Sequence, residues 1–211
     1  RGMELGPDTF WTAWSKLLLS ARTGDAEAVQ EDARSFLDIA PGAWGGLIFL
    51  RNADIAAGRY EVARSRYVRH YPDFATPGGP TITKNNYKVA IDFAVVLRLA
   101  GEHDLANQVL EDSLEVISEL PRLGIAGYYI ADVRALALLG RTQDAIEALR
   151  DAIEEGWRFM SWYFLDRDPS LDSIREHPEF KRLREVLRAD LQAQAARVKE
   201  LQASGELRRA D

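Results

Sequence analysis

Asn52, Arg98 and Arg134 are residues of the kind that hold a ligand rather than transform one. A guanidinium pairs with a carboxylate through two parallel hydrogen bonds, and an asparagine amide offers a peptide backbone both a donor and an acceptor. Residues suited to catalysis are sparse by comparison. His70, His103 and His177 lie far apart, and none belongs to a His-Glu-x-x-His or comparable ligand pair. Glu102-His103-Asp104 is compact, but consecutive side chains point in different directions, and a turn is its expected home. There is no nucleophile elbow. Pro77-Gly78-Gly79-Pro80 lacks the glycine spacing and following Lys-Ser/Thr of a phosphate loop. Acidic pairs such as Glu154-Glu155 read as solvated helix surface. The expectation is a chain that is not an enzyme, with no catalytic residue, metal or cofactor.

Composition narrows the partners. The chain of 211 residues carries 27 Lys and Arg against 33 Asp and Glu, a net charge of -6. No overall basic field favours a phosphate backbone, so direct nucleic-acid binding is not expected. There are no cysteines, which removes disulfides and thiolate metal sites and fits either cytoplasm or periplasm. No apolar run approaches the ~20 residues of a bilayer span, and no signal peptide is visible. Met3 follows Arg1-Gly2, which reads as a cloning scar or as an internal cut in a longer protein.

The elements that position these residues are marked by Gly24, Gly58, Gly101 and Gly140, spaced 34, 43 and 39 residues apart. Each closes one apolar helical stretch and precedes another, and a period in this range indicates stacked helix pairs. The pairs are placed at 8–41, 43–72, 85–119 and 121–156. Asp8 caps the first helix, and the first helix of the last pair runs over 123–139. Ala63, Ala106 and Ala145 are small where paired helices must approach closely. Residues 72–84, with their Pro-Gly-Gly-Pro centre, form an insertion loop. From 157 to 211 the pattern changes to an aromatic cluster and then a long final helix. Asp168-Pro169 and His177-Pro178 each read as N-cap and first helical residue.

Gly58-Arg59-Tyr60, Ala63 and Tyr67 resemble a tetratricopeptide repeat, as do Gly101, Ala106 and Leu110, and Gly140, Ala145, Leu149 and Ala152. The series Leu120-Pro121-Arg122, Gly156-Trp157-Arg158, Trp162-Tyr163, Asp168-Pro169-Ser170-Leu171 and His177-Pro178 is similar to the end-of-array segment of many bacterial multidomain regulators. The resemblance implies an all-α, right-handed helical-hairpin solenoid of about four pairs with a C-terminal cap. It implies a sensory or protein-interaction module of a larger bacterial regulator, in bacterial cytoplasm or periplasm.

In that register the first helix of each pair lines a concave groove. Its inward positions include Trp11, Trp14, Ile48, Asn52, Lys88, Ile91, Val95, Arg98, Ile130 and Arg134. A protein or peptide segment is the expected occupant, held by apolar contacts and oriented by the two arginines. Of the residues that clamp a chaperone C-terminus in this family only Asn52 is matched, because Ile48, Asp92, Gly127 and Ala131 occupy the other positions. Trp157, Trp162, Tyr163 and Phe164 are expected to cap the last repeat, or alternatively to form a docking pocket. Two other readings stay open. One is a small-molecule sensor closed by the 72–84 loop or the aromatic cluster; the other is a structural spacer that pairs with a second copy through its final helix.

Overall fold

The computed structural model describes residues 9–76, 78–124 and 127–207. Its helices begin and end where local chemistry dictates. Helix α1 (Phe10–Thr23) is capped by Thr9, whose hydroxyl accepts from the Thr12 N–H at 3.3 Å; the expected cap, Asp8, lies outside the described residues. Gly24 ends α1 in the left-handed conformation with φ of 85°, which costs an L-residue with a Cβ. Asp25 then caps α2 (Ala26–Ile39) by accepting from Glu27 and Ala28. Gly58, Gly101 and Gly140 make the same turn. They separate α3 (Trp44–Ala56) from α4 (Tyr60–His70), α5 (Tyr87–Leu99) from α6 (His103–Ser118), and α7 (Ala131–Leu138) from α8 (Thr142–Glu154).

Consecutive pairs stack. Helix α2 packs on α3, α4 on α5 and α6 on α7, and the first helices α3, α5 and α7 also touch in series. Ala63, Ala106 and Ala145 are fully buried at the crossings, where a larger side chain would overpack. With no strand among the described residues, this is an all-α array of helix pairs of the solenoid class.

Two segments differ from the sequence expectation. The first helix of the last pair starts at Ala131, not at 123. Gly124 turns left-handed at φ of 94°, and Tyr128 and Tyr129 donate back to the carbonyls of Pro121 and Arg122. This closed turn takes the hydrogen bonds that a longer helix would use. The insertion is also more anchored than an open loop. Pro72–Ala75 form a 3₁₀ turn whose buried Phe74 lies between Tyr71 and Phe93, and Gln108 of α6 donates to the Gly78 carbonyl at 3.4 Å.

After Gly156 the chain turns back across the array. It forms α9 (Ser161–Arg167), a 3₁₀ turn at Pro169–Leu171, α10 (Asp172–Arg175) and α11 (Pro178–Ala203). Asp168 and His177 cap as expected, accepting from Ser170 and Glu179. The 3₁₀ turn sits on α5 and α7, α10 on α7 and α8, and α11 on α8. Phe180, Leu183 and Leu187 bury that end of α11, whereas every residue from 192 to 200 is exposed. No helix among the described residues is long and apolar enough to cross a membrane.

Gly45 and Gly46 let α3 meet the first pair. A Cβ on Gly45 would stand 2.2 Å from the Trp14 ring, and one on Gly46 would stand 2.6 Å from Leu37. Alanine is the better helix former by about 1 kcal/mol, but overpacking here costs about 1–3 kcal/mol. Gly45→Ala is therefore expected to lower the melting temperature in a thermal unfolding experiment. A rise would show that propensity outweighs the close approach.

Candidate functional site

One buried charge from each of α3, α5 and α7 meets at the centre of the wall they form: Arg51, Asp92 and Arg134. All three are buried, as is Asp168, which caps the 3₁₀ turn after α9. Each arises in an apolar stretch, Leu47-Ile48-Phe49-Leu50-Arg51, Ala90-Ile91-Asp92-Phe93-Ala94 and Val133-Arg134-Ala135. Arg51 Nη1 reaches Asp92 Oδ1 at 2.6 Å, and its Nη2 reaches Asp168 Oδ2 at 3.2 Å. Arg134 donates to the same Asp92 oxygen and lies 3.5 Å from Asp168 Oδ2. Its Nε donates to Ser170 Oγ at 3.0 Å, and its guanidinium lies 5.4 Å from the centroid of Phe164. Asn52 accepts from Arg51 and donates to the Tyr163 hydroxyl. Two cations and two anions thus meet away from water, with their partners drawn from four separate elements.

The electrostatics follow from burial and partnership. Burial alone would push Asp168 up, but Arg134, Arg51 and the hydrogen bonds from Ser170 bring it down to about 2. Burial also pushes Asp92 up, and here Arg51 and Arg134 offset it only in part, with Asp168 adding to the rise. The difference has a structural counterpart: Asp92 Oδ2 is buried with no hydrogen-bond partner. Burial opposes the charges on Arg51 and Arg134, yet the two aspartates hold both guanidinium groups charged. Burial raises the Tyr163 hydroxyl well above its ordinary value, so it stays protonated.

The inner wall is thus already occupied by the chain's own segment 157–171. Phe164 stacks near Trp44 at 6.1 Å, and Tyr163 meets Phe49 edge-on at 4.9 Å. Arg167 donates to the Ala21 carbonyl at the end of α1, so the segment spans from the first pair to the last. Trp157, Leu171, Ile174 and Phe180 are completely buried. Within the segment itself Trp157, Phe164, Leu165 and Leu171 are all buried, and exposing an aliphatic or aromatic side chain of this kind costs about 1.5–3 kcal/mol. The segment is part of the core, not a loosely held strap.

The residues singled out from the sequence fall into three groups. Asn52 and Arg134 face the centre and are bonded as above, while Ile48, Ile91, Val95 and Ile130 are buried. Arg98 donates to Asn107 at 2.9 Å across the α5–α6 turn, whereas Arg134 is engaged by Asp92, Asp168 and Ser170. Trp11 stands 69 % exposed on α1, Trp14 lies over Gly45, and Lys88 lies at the start of α5. In the C-terminal cluster Trp157, Tyr163 and Phe164 are buried; Trp162 is half-buried between Arg22 and Arg167. The spacing argument passed over Arg51, Asp92 and Asp168 as site partners. The available signal was a charge set in each apolar stretch, because a charge that cannot reach water needs a buried partner.

No group of three or more His, Cys, Asp or Glu able to hold a metal ion occurs among the described residues. No protein-family model matches the chain, and no curated protein is significantly similar to it.

The two aspartates should respond differently to neutralisation. Breaking a buried, fully paired charge costs about 3–5 kcal/mol, so Asp168→Asn is expected to destabilise by that order and Asp92→Asn by less. The Asp168 contribution is complete above the unfolded aspartate value of ~3.9. It is lost as pH falls from there through the folded value of about 2. Denaturant melts of both variants across pH 2 to 7 check this. Equal losses, or an Asp168→Asn loss that persists undiminished at about pH 2, would contradict it.

Proposed function

We propose that this protein is a non-enzymatic interaction module that binds a protein or peptide segment on the part of its wall that its own C-terminal segment leaves open. The observation that carries this reading is the state of α1. Trp11 is 69 % exposed and Phe10 42 %, and their rings meet edge to face at 5.1 Å. Leu19 is 59 % exposed further along the same helix. Tryptophan is among the residues that most often dominate protein-protein contacts, since one rigid ring buries a large area on docking. An apolar segment of the partner lies along α1. Arg98 and Arg134 are not needed to orient it. In keeping with its tetratricopeptide resemblance, the module serves as the regulatory or assembly part of a larger bacterial protein.

Immobilised protein is compared with its Trp11→Ala and Arg98→Ala variants for recovery of partners from extract. Trp11→Ala is expected to lower recovery about tenfold or more, with the melting temperature unchanged because the ring is exposed. Arg98→Ala is expected to leave recovery intact. Equal recovery by wild type and Trp11→Ala would remove α1 from the account.

The projecting end of α11 favours a second reading, a spacer that pairs with a second copy. Val198 is 44 % exposed there. Under the interaction reading, light scattering gives the mass of one chain. A dimer that is lost on truncation after Ala195 would favour the spacer instead.

A further inference from the structure

The cleft where the end of α1 meets α9 and α11 is basic, in a chain whose net charge is -6. It encloses about 270 Å³, and Leu165, Leu187 and Leu191 give it an apolar lining beside Trp162. Arg22, Arg184 and Arg188 also line it, against one carboxylate, Asp166. That carboxylate is already engaged. Arg188 lies 2.8 Å from Asp166 and 3.0 Å from Glu185, and Arg184 lies 3.8 and 3.5 Å from the same two residues. Arg22 has no carboxylate within ion-pair distance among the described residues, and neither has Arg167. Both are exposed. Their guanidinium groups lie 5.7 and 5.6 Å from the centroid of the Trp162 ring, within cation–π range. Arg167 is fixed further by its bond to the Ala21 carbonyl at 2.8 Å, which uses one of its five N–H donors. Two cations are thus held in place beside an apolar cleft, with donors to spare.

Arg22 also belongs to the face of α1 that carries Trp11. Positions 11, 15, 19 and 22 follow one another at helical spacing and share one face, and Trp11, Ser15, Leu19 and Arg22 are all exposed. At 1.5 Å per residue, Arg22 stands about 16 Å from Trp11 along the axis, a span of about five residues of extended chain. A segment lying on Trp11 and Leu19 therefore reaches the cleft. Guanidinium groups pair with carboxylates through two parallel hydrogen bonds, and two unpaired guanidinium groups match two carboxylates. The acidic surface beyond the cleft repels an extended polyanion or an anionic membrane and leaves a short acidic segment as the match.

We propose that the partner segment on α1 ends in two acidic residues beside an apolar one, with the apolar side chain in the cleft and the carboxylates on Arg22 and Arg167. The inference rests on the interaction reading and adds the partner's charge and the place where that charge sits.

The test is selection of random phage-displayed peptides of about 12 residues on the full chain, followed by fluorescence anisotropy with the selected peptides made synthetically. The expected peptides carry two Asp or Glu next to a large apolar residue. Changing both acids to amides is expected to weaken binding about tenfold or more. The Arg22→Gln/Arg167→Gln protein is expected to weaken the acidic peptide by a similar factor and to leave the amide peptide unchanged. Arg22→Glu is expected to turn the preference towards peptides with Lys in place of the acids. Selected peptides without acidic residues, or acidic peptides bound equally by wild type and the double variant, would overturn the proposal. If such peptides still need Trp11, the interaction reading stands and the acidic end alone falls. Failure to enrich any peptide also overturns the acidic end, and leaves α1 to be judged by recovery from extract. Sedimentation with phosphatidylserine vesicles that depends on the same arginines would overturn it by giving the site to a membrane. Should the double variant melt early, Arg22→Gln alone, at an exposed side chain, carries the comparison.

Discussion

Four charges in the middle of the molecule, Arg51, Asp92, Arg134 and Asp168, set the terms for everything around them. Each is buried, and each comes from a different element: α3, α5, α7 and the turn after α9. Removing an ion from water costs several kcal/mol, and only well-placed opposite charges and hydrogen bonds return it. Across the wall the signs run positive, negative, positive. Within the cluster, the three helices alone would leave one excess cation, and Asp168 supplies the missing anion. The helix stack and the returning segment are therefore each incomplete without the other. We read the cluster as a device that fixes register, since a helix slipped by one turn would strand a charge in an apolar interior.

This constraint explains why the concave side of the array is not an open groove. Helix α5 is buried at every position from Val89 to Leu97, so that stretch has no solvent face. A helix that is apolar all round belongs in a core. The covering layer is the segment with Tyr163, Phe164 and Asp168. It brings aromatic area to the apolar part of the wall and a carboxylate to the basic part. What remains accessible lies at the margins: the exposed aromatics of α1, the basic cleft beside Trp162 and the projecting end of α11.

Much of the architecture was legible in the sequence because it rests on local rules. Left-handed glycines end first helices at Gly24, Gly58, Gly101 and Gly140, and Asp168 and His177 cap through their own side chains. These features depend on a few neighbouring residues. The shortened α7 was not legible, because its start is set by a turn in which Tyr128 and Tyr129 bond back to Pro121 and Arg122. Nor was the central ion cluster, whose partners lie up to 117 residues apart. The repeat register put Asn52 and Arg134 on an inward wall, and in the structure both bond to members of the central cluster. It assumed that solvent or a ligand waited there, and the largely apolar stretches of α3 and α5 were the sign that protein did.

The central claim is that residues 157–175 belong to the same cooperative core as the helix pairs. Native-state hydrogen exchange of the amides in this segment tests it most directly. The account predicts that the amides of Tyr163, Asp168 and Leu171, each bonded to a backbone carbonyl, exchange only on global unfolding, with the same opening free energy as the central amides of α5. It would be contradicted if these amides opened together at a much lower free energy while α3, α5 and α7 stayed protected. The segment would then be a detachable occupant of an independently folded groove.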